Sequence, residues 1–127
     1  MTFPVRTEPG YRHDWLKKSP DRDFGVENGV YKAGQGTVAE GTVLATDADG
    51  KLVPYGGAVE SDTVALSYYE ARTGAGAEAR EVEGPIITRR CWLNYAALKF
   101  AVDATPAQKA AAFAKLSRQE MPDRREI

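Results

Sequence analysis

The side chains best suited to catalysis, a histidine and a cysteine, each occur once in this chain of 127 residues, as His13 and Cys91. A cysteine nucleophile needs a base held within hydrogen-bond reach of its thiol. Two arginines precede Cys91 and would lower its pKa, but Trp92 and Leu93 follow it and indicate burial. We therefore interpret Cys91 as a structural residue. The alternative, an enzyme that uses Cys91, would be decided by thiol labelling of the native protein.

Two short motifs resemble ligand sites but lack residues that such sites need. Residues 47–50 (DADG) begin like a calcium-binding EF-hand loop, yet Lys51 and Leu52 follow where a ligand and a glycine should stand. Residues 34–39 (GQGTVA) match a nucleotide-binding pattern, but that pattern requires a following helix, and residues 41–46 favour a strand. We predict turn glycines and an aspartate-capped hairpin turn, with no metal and no cofactor.

The charge balance narrows the choice of partners. Lys and Arg total 17 and Asp and Glu total 18, which gives a formal net charge of −1. This balance argues against nucleic acid and against an anionic membrane surface, because both attract clustered positive charge. The first residues lack the apolar core of a signal peptide, and no apolar run approaches the ~20 residues that span a membrane. We expect a soluble protein made in a cytoplasm.

The elements that would position these residues follow one another as an arm, a β-rich body and a helical end. Residues 24–70 are rich in strand formers, with a tight-turn signal at Asn28-Gly29 and the hairpin at residues 47–50. Residues 71–80 have the composition of a surface loop. This order of elements predicts one α+β domain, β-rich, with short C-terminal helices.

Helix signals are concentrated in the last third of the chain. Asn94 is a candidate N-cap for a short helix. Thr105 is a second N-cap, followed by Pro106 at the first helical position and by Gln108 where a capping box needs it. We expect this second helix to stop at Met121-Pro122.

We predict three zones: an extended arm over residues 1–23, an α+β domain over residues 24–121 and a charged tail over residues 122–127. Prolines and dense charge in the arm disfavour a packed element. Apolar side chains nevertheless recur there, as in segments that order on a partner by strand addition. The candidate partner-binding residues of the arm are Phe3, Val5, Tyr11, His13, Trp15 and Leu16. The alternative is that Trp15 and Leu16 pack onto their own domain.

Five stretches of the chain, in order and spacing, resemble the head decoration proteins of tailed bacteriophages, the family that includes the lambda capsid-stabilising protein. They are residues 14–19 (DWLKKS), 34–44 (GQGTVAEGTVL), 50–55 (GKLVPY), 88–94 (TRRCWLN) and 105–113 (TPAQKAAAF). The first is similar to the family's arm segment, the next two to its central strands, and the last to its closing helix.

The resemblance implies a β-clip-like body that forms a homotrimer on the outer surface of the expanded capsid. There it would clamp neighbouring major capsid subunits, with the arm ordering on the major capsid protein as an added strand. The resemblance also implies a structural virion protein, not an enzyme, present in the host cytoplasm during assembly. The rival function is a non-viral β-rich module that binds a peptide or a carbohydrate. Such a module should be a stable monomer with a concave aromatic pocket.

Overall fold

The structure of the protein is a computed structural model that describes residues 14–18 and 25–124. Within these residues the chain forms nine strands and one α-helix. The strands are β1 (Leu16–Lys18), β2 (Val26–Tyr31), β3 (Gly36–Val38), β4 (Val43–Thr46), β5 (Leu52–Pro54), β6 (Ala65–Ser67), β7 (Ala71–Gly74), β8 (Val82–Ile87) and β9 (Trp92–Leu93). The helix α1 spans Pro106–Arg118, and 3-10 turns lie at Gly76–Glu78 and Tyr95–Ala97. The predicted β-rich body is confirmed, but the described C-terminal helical elements are one α-helix and one 3-10 turn.

Five strands close into a small barrel in the order β2-β5-β4-β6-β8. Neighbouring strands are antiparallel except β2 and β5, which meet in parallel at Tyr31 and Leu52. The other strands form two-stranded ribbons, β1 with β9 and β3 with β7. Closing the sheet pairs strand edges that an open sheet would expose.

The two-residue period of the strands sorts the core into an inner and an outer cluster. Side chains from all five barrel strands meet in the inner cluster: Tyr31, Leu44, Leu52, Ala65 and Ile86. Val43 and Leu66, the chain neighbours of Leu44 and Ala65, belong to the outer cluster, where they join Ala112 and Leu116 of α1. Strands β4 and β6 are therefore buried on both faces, which explains their continuous apolar sequences.

Both predicted N-caps are confirmed. The Thr105 side chain accepts a hydrogen bond from the Gln108 N–H, and the Gln108 side chain accepts one from the Thr105 N–H, which completes the capping box around Pro106. The Asn94 side chain accepts from the Ala96 N–H at 3.2 Å. The element that Asn94 begins is a single 3-10 turn rather than an α-helix.

The helix α1 ends in a Schellman motif, before the predicted stop at Pro122. The N–H groups of Glu120 and Met121 donate to the C=O groups of Ser117 and Leu116. This geometry puts Glu120 in the left-handed conformation, at φ 67°. Glycine is the usual residue at such a position, because a side chain there costs about 1–2 kcal/mol.

The predicted turn between β4 and β5 is confirmed. Asp47 Oδ1 accepts hydrogen bonds from the N–H groups of Asp49 and Lys51, both at 2.9 Å, and Gly50 has a φ of 80°. Asp47 Oδ2 lies 3.3 Å from Lys32 Nζ. The bond from the Lys51 N–H contributes most to holding the pKa of Asp47 below its usual value. The Asp47 carboxylate, which in the sequence resembles a calcium ligand, therefore serves as a hydrogen-bond acceptor within the hairpin turn.

Two local predictions are wrong because long-range pairing overrides the local signal. Asn28-Gly29 lies inside β2, not in a turn, and pairs with residues 84–85 of β8. A Cβ on Gly29 would lie 2.5 Å from Leu52 Cδ1, so the glycine permits close packing within the barrel. The predicted loop over residues 71–80 is wrong for residues 71–74, which form β7 and pair with β3, while the exposed residues 75–80 lie outside any strand.

Candidate functional site: the root of the N-terminal arm

Trp15 is fully buried, although it lies in the segment predicted to be an arm. Its Nε1–H donates to Glu40 Oε1 at 3.0 Å. Its ring covers Gly41, where a Cβ would lie 2.8 Å from the ring atoms Cδ1 and Cγ. Gly41 also has a φ of 77°, so this position favours glycine on two counts. Trp15 is therefore a core residue of the domain.

The backbone around Trp15 is bound to the body as well. The Trp15 C=O accepts a hydrogen bond from the Asn94 N–H at 2.9 Å, and Leu16 of β1 pairs with Leu93 of β9. Leu16 is half-buried against the outer cluster. Among the described strands, only β9 pairs with β1. Residues 14–18, which we call the arm root, thus contain an anchored strand whose other edge is not paired with any described strand.

The C-terminal segment occupies the other edge of β9. Leu93 donates its N–H to the Pro122 C=O at 3.0 Å and accepts a hydrogen bond from the Arg124 N–H at 2.7 Å. The Arg124 guanidinium lies over the Trp92 ring, 5.4 Å from its centroid. Residues 122–124, which the sequence assigns to the charged tail, are therefore bound to the body. β9 lies between segments from the two ends of the chain.

Two of the six predicted arm residues lie within the described part of the chain. Trp15 and Leu16 pack onto their own domain, which is the alternative that the sequence left open. The other four, Phe3, Val5, Tyr11 and His13, lie outside the described residues.

Sequence reasoning missed the residues that receive the arm root. Glu40, Gly41 and Asn94 are distant from Trp15 in sequence, and the folded barrel together with the β1–β9 ribbon brings them to it. One signal was available: the glycine that opens residues 41–44 (GTVL). A glycine beside a buried strand often marks the close approach of another segment.

Cys91 is buried near the arm root, within the outer cluster. It is 1% exposed, and burial raises the pKa of its thiol to about 12. Such a thiol stays protonated at neutral pH and closed to solvent, so Cys91 has the structural role that the sequence predicts.

Among the described strands β1 is paired along one edge only, and a strand edge is a surface to which another strand can be added. The described part of the chain holds no group of three or more His, Cys, Asp or Glu positioned for a metal ion. Within the same residues no helix is long and apolar enough to cross a membrane.

Comparison with known families confirms the resemblance seen in the sequence. The family model described as bacteriophage lambda head decoration protein D matches residues 5–121, which include the arm root, the barrel and α1. This match places the chain in the class of structural proteins of the bacteriophage capsid. The chain belongs to the lambda head decoration protein D family. Searches of curated proteins and of solved structures found no match.

Proposed function

We propose that the protein binds the outer surface of the expanded phage capsid as a homotrimer and stabilises it by clamping neighbouring major capsid subunits. The family match carries the capsid role. The trimer, the clamp and a β-clip-like classification of the body extend that role by resemblance. The near-neutral net charge of −1 suits a protein on the outer surface, which does not contact the packaged genome.

The arm root supports docking by strand addition. Because Trp15 is locked into the core, we propose that residues 1–13 are the capsid-binding arm and that Phe3, Val5, Tyr11 and His13 supply its contacts. This list of contacts is shorter than the predicted one, because Trp15 and Leu16 anchor the arm instead. Fixing a backbone residue costs roughly 1–2 kcal/mol, so an arm with an ordered base loses less entropy on binding than one free throughout. The added strand would lie beside the edge of β1 that no described strand occupies.

A trimer multiplies modest contacts. Three arms that leave one rigid body can engage three capsid sites together, and each later contact forms at a high effective concentration. The complex can therefore be stable even when a single arm binds weakly.

Two truncations of the full chain test this function on capsids of the phage that encodes it. Deletion of residues 1–13 keeps the arm root, so we expect a folded trimer by light scattering that no longer co-sediments with capsids. Deletion of residues 1–18 also removes Trp15 and should in addition lower thermal stability. Full decoration by the shorter deletion would refute the role of the arm. A monomeric wild-type protein at high concentration would refute the trimer and favour the rival peptide- or carbohydrate-binding module.

A further inference from the structure

A second candidate binding site lies beside the C-terminal end of α1. A cavity of about 500 Å³ opens there between the helix end and residues 88–90, which lead from β8 to β9. Arg89 and Arg118 line it, and Glu27 stands on its wall. We call this cavity the arginine pocket.

Gln119, which lines the arginine pocket, is held in place by hydrogen bonds of its side chain. The Gln119 side chain accepts a hydrogen bond from the Val64 N–H at 2.9 Å and donates to the C=O groups of Val64 and Thr88, at 2.8 and 2.9 Å. These three bonds join the helix end to two segments of the body. A side chain so fully used fixes the shape of the cavity before any ligand arrives.

Beside Gln119, two residues that line the pocket form a clamp: they have strained backbones and bind each other. Arg90 and Glu120 both have left-handed backbones, at φ 65° and 67°. The Arg90 N–H donates to the Glu120 C=O at 3.1 Å, and Arg90 Nε donates to Glu120 Oε1 at 3.2 Å. Non-glycine residues in this conformation are frequent at ligand clamps, where the surrounding structure holds them.

The clamp leaves two other guanidinium groups available to a ligand. Arg89 and Arg118 are exposed, and neither side chain makes a hydrogen bond or ion pair with any residue of 14–18 or 25–124. The carboxylate of Glu27 already accepts from the Thr88 hydroxyl at 3.2 Å. Guanidinium groups bind carboxylates through paired hydrogen bonds, so the free chemistry of the pocket is that of a carboxylate receptor.

We propose that the arginine pocket binds acidic side chains of the major capsid protein and so forms a second capsid contact besides the arm. This proposal rests on the proposed function. Arg90 precedes Asn94, which binds the arm root, by four residues, so the two lie at most about 13 Å apart, the length of four fully extended residues. One partner surface can therefore reach both the arm root and the pocket, and the ion pairs would add to the avidity of the arms.

A charge reversal with a matched control tests the pocket. Arg89→Glu with Arg118→Glu should weaken capsid binding at low salt at least about tenfold and reduce its salt dependence. Arg72→Glu with Arg80→Glu changes the net charge equally at exposed arginines outside the pocket, and should leave affinity nearly unchanged. Arg89→Lys with Arg118→Lys keeps the charge but loses paired hydrogen bonding, so an intermediate loss is expected. Thermal unfolding and light scattering check that each variant is a folded oligomer.

The outcomes separate this inference from the proposed function. If the pocket reversal binds as tightly as wild type while deletion of residues 1–13 abolishes binding, the inference is overturned and the decoration function stands. If the pocket reversal breaks up the oligomer, the occupant is a second copy of this chain and the capsid assignment is overturned. If both reversals weaken binding equally, the effect is one of overall charge and the pocket has no special role. A wild-type protein that does not bind capsids would overturn both proposals.

Discussion

Replacing Trp15 by alanine distinguishes an anchored arm root from a free arm. The Trp15 side chain is fully buried, lies against Gly41 and donates a hydrogen bond to Glu40. Removing a buried tryptophan costs about 3–5 kcal/mol, through lost burial and the cavity that remains. In a domain of this size each kcal/mol lowers the melting temperature by roughly 3–5 °C, so we expect a decrease of about 10–25 °C.

Urea unfolding followed by far-ultraviolet circular dichroism is the suitable assay. Fluorescence would be distorted, because the variant removes one of only two tryptophans. All variants should be compared at one protein concentration, since an oligomer's stability depends on it. Trp15→Phe keeps most of the apolar surface but loses the Nε1–H donor, so its loss should be clearly smaller than that of Trp15→Ala.

Tyr69→Ala is the matched control for removal of an aromatic ring. Tyr69 is 50% exposed, so its removal should cost less than about 1 kcal/mol. If Trp15→Ala costs no more than Tyr69→Ala, the reasoning is refuted. Residues 14–18 would then belong to the free arm, as the sequence alone suggests.

Three further predictions concern the surroundings of the arm root and the helix end. Gly41→Ala should cost more than about 2 kcal/mol in urea unfolding, because the new Cβ meets the Trp15 ring and the backbone is left-handed. Combined with Trp15→Ala it should cost less than the sum of the single losses, and strict additivity would contradict the contact. Glu120→Gly should leave the free energy of unfolding unchanged or raise it by up to about 1 kcal/mol, because relief of left-handed strain offsets loss of the exposed ion pair with Arg90. A clear decrease in the free energy of unfolding would disprove this balance. Because its thiol is buried with a pKa of about 12, Cys91 should resist a thiol reagent in the native protein from neutral pH up to about pH 10. It should react once urea unfolds the chain. Rapid labelling of the native protein would contradict its burial.

Features that depend on neighbours in sequence were predictable without the fold. The capping box joins Thr105 to Gln108, three residues away, and the hairpin turn joins Asp47 to Lys51, four residues away. Such bonds form within one turn of chain, so residue types and spacing suffice to predict them. The family resemblance depends on the same kind of local pattern repeated in order along the chain.

Tertiary structure alone decided whether Asn28-Gly29 is a turn and whether Trp15 is buried. Asn28-Gly29 has the composition of a tight turn, but pairing along all of β2 with β8 holds it in a strand. A tryptophan among prolines and charges is typical of a docking segment, and nothing near Trp15 in sequence indicates otherwise. Its burial depends on Gly41, which leaves room for the ring, and on β9, which binds the adjacent backbone. The free energy of burial comes from partners distant in sequence, so only the folded chain shows that Trp15 is a core residue.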